Sequence, residues 1–130
     1  MPNLFGTEWK LESRKSIFTG GFSPNTETRK YDELENGYTL AVKGTEGGKP
    51  YQWKYTAFYD GKPHKVEGRD DVDSITIFKD GSNETGGWFT KDGVTVAGYR
   101  RAVEASALVV TAGGRRPDGT AYFDTIRYNA

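Results

Sequence analysis

Paired turn residues recur about every 12 residues along this chain and divide it into short segments. Asn-Gly and Asp-Gly steps supply the positive φ angles that tight hairpin turns require. The segments between them alternate apolar with polar residues, as strands with one buried face do. The steps are Asn36-Gly37, Gly47-Gly48, Asp60-Gly61, Asp80-Gly81, Asp92-Gly93, Gly113-Gly114 and Asp118-Gly119. This spacing predicts an all-β fold, a single up-and-down antiparallel β-barrel of about 8–10 strands.

Length and composition narrow the function classes. The 130 residues predict one domain, 1–130. Lys plus Arg and Asp plus Glu both number 18, so the basic excess that binds nucleic acid is missing. With no cysteine and one histidine, we expect no metal site and no cofactor. The sequence shows neither a signal-peptide pattern nor a long apolar run, so we expect no membrane span and a cytoplasmic location.

The alternation of residues predicts which side chains face the interior. The segment 14–24 contains two glycines and a proline, which predicts a loop with at most one helical turn over an end of the barrel. The predicted strands are 7–13, 26–33, 38–45, 50–59, 63–67, 73–79, 84–91, 94–103, 106–112 and 120–129. Their more apolar faces are expected to point inward.

Aromatic residues dominate one predicted wall of the lumen. Tyr51, Trp53 and Tyr55 share a face of strand 50–59, and Tyr38 and Tyr122 lie on the inward faces of two other strands. Their rings either fill the barrel or form a pocket for a planar ligand that the hydroxyls orient. We favour the pocket, because a lumen built only for packing would use more Leu, Ile and Val.

Three charged or titratable residues are candidates for polar roles. Arg100 shares a face with the valines of strand 94–103, which predicts that it points inward. There it would pair with Asp124 or a nearby glutamate, or anchor an acidic ligand group. A one-residue bulge would reverse the faces and leave Arg100 in solvent. His64 follows a turn and is either a rim residue or, with Asp124, a candidate for proton transfer.

The N-terminal segment Phe5-Gly6-Thr7-Glu8-Trp9-Lys10-Leu11-Glu12-Ser13 resembles the opening of the calycin superfamily, the fatty-acid-binding and lipocalin-like proteins. The segment 48–62 is similar to small bacterial lipocalin-like proteins. The resemblance implies a barrel that binds a small apolar molecule, with Trp9 and Arg127 closing one end. Fatty-acid binders have an Arg-x-Tyr element for the ligand carboxylate, whereas Arg127 and Tyr128 are adjacent here.

Together these features predict a protein that binds or carries a small hydrophobic, aromatic or polycyclic ligand in the lumen. The ligand-binding residues would be Tyr38, Tyr51, Trp53, Tyr55, Arg100 and Tyr122. The alternative is a cofactor-independent isomerase, lyase or cyclase with His64 or Asp124 as the catalytic residue. A third possibility is a packed barrel that serves as an interaction module. The chain would be a monomer or a small homo-oligomer.

Overall fold

Ten strands form one sheet that closes on itself in the computed structural model, which describes residues 3–19, 23–79, 81, 84–115 and 118–130. The strands are β1 (Glu8–Leu11), β2 (Thr26–Leu34), β3 (Gly37–Glu46), β4 (Lys49–Phe58), β5 (His64–Glu67), β6 (Ser74–Lys79), β7 (Glu84–Lys91), β8 (Val94–Glu104), β9 (Ala107–Arg115) and β10 (Ala121–Asn129). Each strand pairs antiparallel with its neighbours in the chain, and β1 pairs with both β2 and β10 to close the barrel. The predicted up-and-down antiparallel barrel is confirmed.

Most of the predicted turns have the expected backbone. Asn36 and Asp92 have φ angles of 58° and 51°, and Gly48 has 80°. The turn predicted at Gly113-Gly114 is wrong, because these glycines lie within β9. Asp80 lies outside the described residues.

The turns alternate between two ends of the barrel because successive strands run in opposite directions. We call the end with the turns after β2, β4 and β8 the lower end. Leu4 and Trp9 are fully buried there, and the Trp9 indole donates a hydrogen bond to the Leu4 carbonyl at 3.1 Å. The opposite end, with the turns after β3, β5 and β7, is the upper end.

Among its described residues, the segment after β1 contains one 3-10 turn, Ser13–Lys15, as the glycine and proline content predicts. Beyond it, the described part of the segment runs along β10 rather than across the barrel. Ile17 forms a β-bridge with Thr125, and the Thr19 backbone N–H donates to the Asp124 carboxylate at 2.6 Å. The segment therefore continues the line of β1 along the edge of β10.

The inward faces are as predicted in β3, β4 and β10, where Tyr38, Tyr55 and Tyr128 are buried. In β8 the predicted face is wrong. Arg100 is exposed on the outside, where it pairs with Glu84 at 3.0 Å, and Arg101 is the buried residue. The prediction failed because the outer face of β8 carries valines, so apolar character did not distinguish the two faces.

Candidate functional site

A buried arginine surrounded by tyrosines occupies the lower part of the lumen. Arg101 donates hydrogen bonds to the hydroxyls of Tyr38 (2.6 Å) and Tyr55 (2.9 Å). Its guanidinium carbon lies 3.9 Å from the ring centroid of Tyr99 and 4.9 Å from that of Tyr31. We call these five residues the arginine–tyrosine cluster.

The cluster contains no carboxylate to compensate the charge of Arg101. Burial raises the pKa of Tyr55 and of Tyr99, and the nearby Arg101 charge only partly opposes this rise. Both phenols are therefore protonated at neutral pH and supply dipoles and ring faces, but no negative charge.

A second buried arginine lies next to the cluster and has a carboxylate partner. Arg29 forms an ion pair with Glu27 at 2.9 Å and donates to the Tyr31 hydroxyl at 3.2 Å. Glu27 also accepts hydrogen bonds from the hydroxyls of Tyr51 and Tyr128. Tyr31 thus contacts both arginines, Arg29 through its hydroxyl and Arg101 through its ring.

This part of the lumen therefore contains two buried guanidinium groups, of which only Arg29 contacts the buried carboxylate of Glu27. The Nε atoms of Arg29 and Arg101 are buried and have no hydrogen-bond partner in the part of the chain that the structure describes. An unsatisfied buried donor costs about 1–3 kcal/mol, and a new acceptor that took a hydrogen bond from either N–H would recover part of that cost.

Aromatic residues line the upper end of the barrel. Tyr51, Trp53 and Tyr122 are half-buried there. A Cβ at Gly44 would lie 2.8 Å from the Tyr51 hydroxyl, and one at Gly114 would lie 2.9 Å from the Tyr122 hydroxyl. These two glycines let the phenol rings lie against the neighbouring strands, along the wall of the barrel.

One further arginine caps the aromatic wall. The guanidinium of Arg69, in the loop after β5, lies 4.7 Å from the Trp53 ring centroid and 4.9 Å from that of Phe89. It is held there by a two-point contact with the Asp71 carboxylate, at 2.6 and 2.9 Å. Burial opposes ionisation of Asp71, but the hydrogen bond and charge of Arg69 outweigh it and lower the pKa of that carboxyl.

The two candidate catalytic residues are not brought together. His64 lies at the lower end, where its ring contacts the Asp60 carboxylate at 2.9 Å, and this hydrogen bond lowers the pKa of Asp60. Asp124 lies towards the upper end and accepts hydrogen bonds from Thr19. These two residues form no acid–base pair.

The predicted ligand-binding residues fall into separate layers. Tyr38 and Tyr55 belong to the arginine–tyrosine cluster, whereas Tyr51, Trp53 and Tyr122 line the upper end. Arg100 lies outside the barrel. Of the two residues expected to close the barrel, Trp9 is fully buried. Arg127 lies on the opposite face of the sheet from buried Tyr128.

Sequence reasoning missed the residues that carry the interior charge. Glu27, Arg29 and Tyr31 alternate along β2, and this period of two was the available signal. The outer face of β2 is also polar, so the pattern did not show which face is buried.

Comparison of the chain with protein families, curated proteins and solved structures finds no match. The closed ten-stranded antiparallel barrel agrees with a calycin-like fold. No helix among the described residues has the length and apolar character needed to cross a membrane.

Proposed function

We propose that this chain is a calycin-like binding protein for a small aromatic or polycyclic molecule that carries an acidic group. The observation that supports this proposal is the presence of two buried arginines and one buried carboxylate in the same part of the lumen. A buried cation without a counter-ion is costly, and an anionic ligand would supply the missing charge.

The two ends of such a ligand would contact different layers of the barrel. Its acidic group would accept hydrogen bonds from the unpartnered Nε atoms of Arg29 and Arg101. Its ring system would extend towards the upper end, between Tyr51, Trp53 and Tyr122. Flat aromatic walls favour a planar ligand over a flexible acyl chain.

Native mass spectrometry of freshly purified protein is the first test. We expect an added mass that disappears under denaturing conditions, and its fragmentation should show an aromatic acid. A released acyl chain, or a neutral compound, would contradict the proposed ligand class.

A matched pair of variants tests the anchor directly. The probes are 8-anilinonaphthalene-1-sulfonate, which is anionic, and N-phenyl-1-naphthylamine, its neutral counterpart. Arg101→Met should weaken binding of the sulfonate by roughly 10- to 100-fold, because a charged hydrogen bond contributes about 1.5–3 kcal/mol. Binding of the neutral probe should change little.

Arg100→Met is the control, since it removes the same charge from the adjacent residue on the outer face. It should leave the affinity for both probes unchanged. If both variants lost the same affinity for the sulfonate, the effect would come from the net charge of the protein and not from a contact with Arg101. Equal affinity of wild type and Arg101→Met for the sulfonate would exclude Arg101 as the anchor.

A further inference from the structure

The two halves of the barrel have different outer surfaces. On β2 to β5 the outward side chains are mostly charged or hydroxyl-bearing, with lysines at Lys30, Lys43 and Lys54. On β6 to β10 and the adjoining segment, six large apolar side chains are exposed. We call them the apolar face: Ile17, Phe78, Trp88, Val94, Val96 and Phe123.

The strand register makes this face continuous. Trp88 lies opposite Gly98, Gly98 opposite Gly113, and Gly113 opposite Phe123, so the four residues form a row across β7 to β10. Val96 is two residues from Gly98 on β8. Contiguous apolar surface of this kind marks an interaction site, whereas scattered apolar residues do not.

The row contains both a projection and a hollow. Phe123 covers Gly113, since a Cβ there would lie 3.5 Å from its ring. By contrast, a Cβ at Gly98 would meet only the Gly87 carbonyl oxygen, at 3.8 Å. The surface above Gly98 is therefore open, and the exposed indole of Trp88 stands beside it.

We propose that the apolar face is a homodimer interface in which a second copy of this chain seats its Trp88 over Gly98. Trp88 and Gly98 are direct cross-strand neighbours, so a two-fold axis between them would place each indole in the hollow of the other copy. A two-fold interface requires this self-complementarity, with the same surface supplying both parts.

The charges beside the apolar face and its exposed area are both compatible with a second copy of this chain as the partner. Glu84 and Arg100, of opposite sign, lie on β7 and β8 beside the face, so a two-fold related copy presents the complementary charge to each. The exposed fractions of Phe78, Trp88 and Phe123 are 40%, 42% and 61%. These three rings alone present on the order of 300 Å². The aliphatic residues and the polar rim would supply the rest of the roughly 800 Å² per partner that a stable dimer buries.

Sedimentation velocity of the full chain, from about 1 to 100 µM, tests this interface. We expect wild type to reach twice the single-chain mass of 14.5 kDa. Gly98→Leu fills the hollow and Trp88→Ser removes the projection, so either variant should raise the dimer dissociation constant at least 10-fold. Phe58→Ser is the control, because Phe58 is exposed on the outside of β4, away from the apolar face.

Far-UV circular dichroism and thermal melting of each variant show whether the barrel is intact. A side chain at position 98 fits without a steric clash, so we expect Gly98→Leu to fold. This variant therefore tests the interface even if Trp88→Ser is destabilised. If wild type sedimented as a monomer at all concentrations, the proposal would be overturned. The apolar face would then be a candidate site for a different protein. A dimer that neither variant weakens, or that Phe58→Ser weakens equally, would place the interface elsewhere.

Discussion

Glu27 is the carboxylate partner of buried Arg29, so the electrostatics of this part of the interior depend on it. It forms the ion pair with Arg29 and accepts hydrogen bonds from Tyr51 and Tyr128. Glu27→Gln keeps the shape and one acceptor but removes the charge, so Arg29 loses its counter-ion. We expect a loss of about 3–5 kcal/mol in the free energy of unfolding, measured by urea denaturation.

Glu84→Gln is the matched control for this prediction. Glu84 also pairs with an arginine, but its pair with Arg100 is solvent-exposed, with side-chain exposures of 39% and 52%. Exposed ion pairs contribute about 0–1 kcal/mol, so the control should be nearly neutral. Similar losses in the two variants would mean that Glu27 and its partners are solvated in solution.

The adjacent arginines on β8 show the limit of prediction at the residue scale. Strand position was predictable, but the inward residue was Arg101 and not Arg100. Val96 has no partner in the register between β7 and β8, which marks a bulge, and the valines around it belong to the outer apolar face. Apolar character identifies a buried face only when the other face is polar. Tyr99 lies two residues before Arg101 on the same strand, but the other three tyrosines of the cluster come from β2, β3 and β4, and no local pattern encodes those contacts.

The turn between β8 and β9 has a left-handed backbone at two residues that rarely adopt it. Ala105 and Ser106 have φ angles of 47° and 70°, although neither is a glycine or an asparagine. The left-handed region costs an ordinary residue about 1–2 kcal/mol. Replacing the pair by Asn-Gly, the preferred type I′ sequence, should therefore raise the free energy of unfolding by about 1–2 kcal/mol, measured by urea denaturation.

The reverse substitution at another turn provides the comparison. Gly48 has a φ angle of 80°, and nothing lies within 4 Å of a Cβ built there, so Gly48→Ala tests backbone strain alone. It should lower the free energy of unfolding by about 1 kcal/mol. An unchanged stability in both variants would show that turn conformation does not limit this fold.

At the scale of elements the sequence was most informative. Turn residues and alternation depend on contacts within a hairpin, and they located all ten strands to within a few residues. The Gly113-Gly114 prediction failed because glycine also serves within a strand. Gly114 lies against the Tyr122 hydroxyl, so there the missing side chain makes room for a ring and does not mark a turn.

The barrel as a whole concentrates its phenol groups inside, and this links stability to alkaline pH. Burial raises the pKa of six of the eight tyrosines, Tyr51, Tyr55, Tyr59, Tyr99, Tyr122 and Tyr128. For Tyr59 the pKa rises to about 12, with neighbouring Tyr38 and Glu33 adding to the effect of burial. In the unfolded chain these groups ionise near pH 10.

The sign of the pH dependence follows from these shifts. Below about pH 10 the phenols are protonated in both states, and their contribution to stability is fully present. Above it the unfolded chain releases protons that the barrel retains, so the free energy of unfolding falls as pH rises towards the folded pKa values. We expect the 295 nm phenolate absorbance to lag behind that of the urea-unfolded chain above pH 10. The remaining rise should coincide with loss of the near-UV circular dichroism. Titration of these six phenols near pH 10 with the dichroism intact would mean that they are open to water, and the lumen would then be a wet channel without a buried cationic site.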